Sequence, residues 1–87
     1  MIRLVYHDRF LNSAKRLPLK TQQKLSHLLA LFSKNPFHPL IHTKRLNGEL
    51  IGFLSFRITR DWRVIFRFLN SDTVQLVSTA NRKDIYR

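Results

Sequence analysis

The chain has 87 residues, 16 Lys and Arg against 5 Asp and Glu for a formal charge of +11, 44% hydrophobic residues, two glycines and three prolines. A chain of this length fills one core, so a single domain over 1–87 is expected, and the hydrophobic share excludes disorder over most of it. Without cysteine there is neither a disulfide nor thiolate chemistry; no apolar run is long enough to span a bilayer, and MIRLVYHD lacks the pattern of a signal peptide, so a cytoplasmic protein is expected.

Ile2, Leu4 and Tyr6 alternate against Arg3 and Val5, which predicts a first strand. Asp8 is the expected N-cap of a helix in which Phe10, Leu11, Ala14 and Leu17 recur at helical spacing, until Pro18 ends it. Leu25, Leu28, Leu29 and Phe32 form the apolar stripe of a second helix, about Leu19 to Lys34, antiparallel to the first. The stretch NPFHPLIHTKRLNGE breaks every periodicity and reads as a loop that brings Lys44 and Arg45 toward the sheet.

Two alternating segments, Leu50 to Thr59 and Trp62 to Leu69, then read as a hairpin. Asn70, Ser71 and Asp72 make a turn, TVQLVSTA is a last strand, and NRKDIYR is too short for a helix of its own. The order β, α, α, β, β, β predicts an α+β fold: a small, antiparallel-rich twisted sheet with a two-helix hairpin packed on one face.

A charge of +11 on so small a body implies a polyanionic partner, whether nucleic acid, an anionic membrane surface or an acidic protein. Metal chemistry finds no support, because the five acids Asp8, Glu49, Asp61, Asp72 and Asp84 are scattered over caps and turns. His38 and His42 have ligand-like spacing but lack companions and read as ordinary loop histidines. Neither a nucleophile elbow nor a glycine-rich phosphate loop is present.

What remains is arginine on strands. Alternation puts Arg57 on the less apolar face of one strand and Arg63 and Arg67 on the same face of the next. If Thr59, Arg60 and Asp61 form the turn, Arg57 and Arg63 stand opposite each other, and such like-charge pairs are unfavourable. An anion on that face, with Arg82 arriving from the last strand, accounts for the arrangement, as does the ordinary use of charge on exposed sheets. Arg63 and Arg82 are expected to be exposed.

The segments LNGELIGFLSFRITRDWRVIFRF and VQLVSTANRKDIYR resemble the RelE/ParE superfamily of toxins from type II toxin–antitoxin systems. In that superfamily a hairpin reading R-x-x-x-D-[YW]-R-V-[IL]-[YF] precedes a strand ending in R-x-x-x-Y, and the likeness extends over essentially the whole chain. It implies a microbial-RNase-like fold and one of two activities: RelE-like members cut messenger RNA, usually in the ribosomal A site, whereas ParE-like members poison DNA gyrase.

The RelE-like branch implies a metal-independent endoribonuclease with no cofactor, partnered by an antitoxin, mRNA and the ribosome, and by no membrane. Its catalytic set would be Arg57, Arg63, Arg82 and Tyr86, with phosphate contacts from Lys44, Arg45, Arg60, Arg67 and Lys83. On that reading the arginines clamp the phosphate and lower the pKa of Tyr86, which serves as the base. The tail contains neither the histidine nor the glutamate that some RelE-like enzymes use.

Overall fold

The structure, a computed structural model, describes residues 1–85. Strand β1 (Arg3–Tyr6) leads into helix α1 (Asp8–Lys15) and helix α2 (Leu19–Lys34). Strands β2 (Lys44–Arg45), β3 (Leu54–Arg57), β4 (Trp62–Asn70) and β5 (Thr73–Asn81) follow, and helix α3 (Arg82–Ile85) closes the described chain. The five strands lie in the order β1-β5-β4-β3-β2. β1 runs parallel to β5, and every other neighbouring pair is antiparallel.

The core lies between the helices and one face of the sheet. Phe10 and Leu17 from the first helical segment and Leu25 and Phe32 from α2 meet Leu54, Phe56, Val64, Phe66, Val74 and Leu76, all buried. Phe32 is its centre: the ring stacks on Phe56 at 4.8 Å and meets Phe66 edge-on at 4.8 Å. Offset and edge-to-face contacts of this kind add to the burial of the rings themselves. Gln22 Nε2 donates back to Leu17 O and Lys15 O, which ties the start of α2 to the end of α1.

Local chemistry explains most boundaries, including those that alternation misplaces. The cap of α1 is His7, whose Nδ1 accepts Arg9 N–H at 3.0 Å, and Asp8 is the first helical residue. Asp8 there meets the positive end of the helix dipole. The helix ends at Lys15 rather than running up to Pro18.

The strand expected from Leu50 begins only at Leu54. Gly48 and Gly52 both adopt positive φ, 65° and 92°, and the chain makes consecutive tight turns through Leu50, Ile51 and Phe53. Glycine takes that backbone region without penalty, so the two glycines break the strand.

Two elements run against expectation. β2 lies inside the stretch read as loop and pairs with Ser55 and Leu54; two residues are too few to produce an alternating pattern. The tail read as too short for a helix forms the single turn α3, where Asn81 Oδ1 accepts Lys83 N–H at 3.0 Å and Arg82 N–H bonds Asp61 O at 2.9 Å. Among the described residues, no helix is long and apolar enough to cross a membrane.

Candidate functional site

With Leu54, Phe56, Val64 and Phe66 turned into the core, the alternate residues of β3 and β4 face away from the helices. Register sets Lys44, Ser55, Ile65 and Ser78 abreast on that face, and Arg57, Arg63 and Ala80 abreast in the rung beyond. Arg57 and Arg63 are therefore direct cross-strand partners, as the three-residue turn predicts. Lys44 shares this face, whereas Arg45, abreast of Leu54, takes the other orientation.

The two arginines differ in surroundings. Arg63 is only 6% exposed, against the expectation of an exposed side chain. Its Nη1 donates to Thr59 O at 2.6 Å, Arg60 O at 3.0 Å and Trp62 O at 3.1 Å. The physical reason is the turn: its carbonyls converge on one point, and a guanidinium supplies donors to them. Arg57 is half-buried, and its Nε is buried with no hydrogen-bond partner among the described residues. An unmet donor in that position is costly unless something on the face accepts from it.

Arg60 is exposed in the same turn, and Arg82 is exposed at the start of α3, joined to the turn through Asp61 O. Arg57, Arg60, Arg63 and Arg82 thus gather around the hairpin tip. Lys83 is exposed one residue further on. Arg67 is not part of this group: it lies four residues along β4, roughly 13 Å at strand rise. Its Nε donates to Gln75 Oε1 at 2.9 Å, and its Cζ sits 5.9 Å from the Phe53 ring centroid. Tyr86 lies outside the described residues.

Next to the cluster, Asn47, Gly48, Glu49 and Leu50 line an open cleft of about 480 Å³ together with Asp84 and Ile85 of α3. Asn81, which caps α3, and Asp61, whose carbonyl anchors it, are site residues that sequence reasoning missed; the NRK segment beginning with asparagine carried the only local signal. Among the described residues, no group of three or more His, Cys, Asp and Glu is placed to hold a metal ion. His38 is committed elsewhere, its Nδ1 accepting Leu40 N–H at 3.1 Å.

No protein-family model matches the chain, and no curated protein matches it in sequence. Solved structures match in fold. YafQ from E. coli strain BL21(DE3) aligns over 100% of both chains with a TM-score of 0.78 at 18% identity. The YoeB/ParE toxin from Agrobacterium tumefaciens aligns over 93% of this chain and 99% of its own, at 0.75 and 20%. A chain of the toxin–antitoxin complex RelBE2 from Mycobacterium tuberculosis aligns over 93% and 98%, at 0.76 and 19%. Identities this low establish the fold, and the fold is the one these toxins share.

Proposed function

We propose that this chain, which has the fold of the RelE/ParE toxins, is the toxin of a toxin–antitoxin pair and a metal-independent endoribonuclease that cuts translated mRNA at the ribosome. The observation that carries the reading is the hairpin tip. A +11 chain gathers Arg57, Arg60 and Arg82 there, and leaves a buried Arg57 donor without an acceptor among the described residues. Phosphate is the natural acceptor for such a guanidinium.

The chemistry asks little beyond positioning and charge. The ribose 2′-OH attacks its own 3′-phosphate in line, a base takes that proton, and the 5′-oxygen leaves with a proton from an acid. The products are a 2′,3′-cyclic phosphate and a 5′-OH. Arg57 and Arg82 stabilise the charge on the pentavalent intermediate. Tyr86 follows Ile85 at the end of α3 and is the base in this reading; Lys44, on the same face, favours departure of the 5′-oxygen.

The test is single-turnover cleavage by purified Tyr86→Phe beside primer extension on mRNA and a gyrase supercoiling assay. Tyr86→Phe is expected to fold and bind RNA, and to cut at least about a hundredfold more slowly. Unchanged cleavage removes Tyr86 from the mechanism. Inhibition of gyrase without mRNA cleavage overturns the endoribonuclease reading in favour of the activity that the ParE resemblance implies.

A further inference from the structure

Four successive carbonyls at the tip of the β3–β4 hairpin, those of Thr59, Arg60, Asp61 and Trp62, are all engaged. Arg63 Nη1 takes three of them. Asp61 O, the one it leaves, accepts Arg82 N–H at 2.9 Å, and Trp62 O also accepts Ile58 N–H and Thr59 N–H at 2.9 and 3.3 Å. The side chain of Arg63 therefore shapes the platform to which the start of α3 is fastened. A phosphate contact through Nη1 would give up these bonds and take the donor away from Thr59 O and Arg60 O. Arg57, its partner across the rung, has a buried Nε that bonds no acceptor among the described residues.

We propose that Arg63 is a positioning residue, which holds the hairpin tip in the shape that places Arg82 and α3, and that Arg57 and Arg82 make the contacts to the scissile phosphate. The division rests on the endoribonuclease reading. Arg63 contributes through geometry: a guanidinium reaches across three carbonyls of one turn, whereas lysine keeps the charge but ends about one bond short of the Nη1 position. The Asp61–Arg82 bond links that geometry to the catalytic segment, so loosening the turn displaces Arg82 without touching it.

Three measurements on Arg57→Gln, Arg82→Gln, Arg63→Gln and Arg63→Lys separate the roles. The first is the salt dependence of binding to a single-stranded RNA oligonucleotide made uncleavable by 2′-O-methylation. The slope of log affinity against log salt is expected to fall by about 0.7 in Arg57→Gln and in Arg82→Gln, one phosphate each, and to stay unchanged in both Arg63 variants.

The second, made on the free protein, is amide exchange at Arg82. It is expected to accelerate at least about tenfold in both Arg63 variants and to stay unchanged in Arg57→Gln. On cleavable RNA, Arg63→Lys should lose as much kcat as Arg63→Gln, up to about a hundredfold, with KM little altered. If Arg63→Gln does not fold, Arg63→Lys, which keeps the charge and most of the stem, carries the test alone.

A reduced slope in Arg63→Gln overturns the assignment, because it makes Arg63 a phosphate ligand. An Arg82 amide as protected in Arg63→Lys as in the parent overturns the positioning role while leaving the endoribonuclease reading in place. Conversely, an Arg82 amide that responds while the parent shows no salt-dependent RNA binding brings down that reading, and the phosphate contacts with it.

Discussion

Arg57 and Arg63 occupy one rung of the ladder, and what separates them is which acceptors lie within reach. The turn offers Arg63 three carbonyls, whereas Arg57 Nε has no acceptor among the described residues. Ser13 makes the same point on the helix side. It sits on α1 as a small polar residue, yet its Oγ donates to Phe10 O at 3.1 Å and accepts Thr79 N–H, 66 residues away, at 2.9 Å. The register of β4 on β5 shifts just before Thr79, between Ile65–Ser78 and Phe66–Leu76, so this bond fastens α1 where the ladder is irregular. Ser13→Ala leaves the Thr79 amide part-buried and unpaired, and a loss of about 1–3 kcal/mol is expected in denaturant unfolding. Ser13→Thr, which keeps a hydroxyl, should recover most of it. A Ser13→Ala protein as stable as the parent would mean that Thr79 finds another acceptor.

The smallest elements carry the candidate site. α3 is a single turn held by Asp61 O at the Arg82 amide and Asn81 Oδ1 at the Lys83 amide, too short to persist on its own propensity. Asn81→Ala removes the side-chain cap, at a cost of about 1 kcal/mol. Because α3 adds little to the core, the melting temperature should move by only a few degrees, while single-turnover cleavage falls about tenfold with the loosening of α3 from Arg82 to Ile85. Equal cleavage by Asn81→Ala and the parent would detach α3 from the chemistry. Phe32, by contrast, is an element's anchor: fully buried between Phe56 and Phe66, it holds α2 to the sheet. Phe32→Ala is expected to cost about 3–5 kcal/mol in urea unfolding, far more than any change at the site, and a cost near that of Asn81→Ala would mean that the core closes over the gap.

Across the whole molecule, +11 charges share a body of 31 × 29 × 27 Å. At physiological salt the screening length is about 8 Å, so repulsion is a matter of neighbouring cations, those at the hairpin tip above all, and not of opposite sides of the protein. Salt should therefore act in two directions. The melting temperature rises as the cluster is screened, while RNA affinity falls steeply, because each neutralised phosphate releases counterions. Thermal melts and binding isotherms over the same salt series check both signs. A melting temperature that drops with added salt would show that attractive pairs, and not repulsion, dominate the fold's electrostatics.

Alternation and helical spacing determined the order of the principal elements, the α+β class, the bounds of α2, most of the core and the opposition of Arg57 and Arg63, because the face a side chain takes follows from its place in a local repeat. The two-residue β2 and the one-turn α3 were too short to leave such a repeat, and positive φ at Gly48 and Gly52 interrupted one that looked continuous. The parallel pairing of β1 with β5, the Ser13 bond to Thr79 and the burial of Arg63 were decided by tertiary structure alone. An arginine on the less apolar face of a strand reads as exposed until the turn carbonyls beside it are placed in space. Spacing along the chain assigns a side chain to a face, but only the folded backbone decides which donors and acceptors meet there.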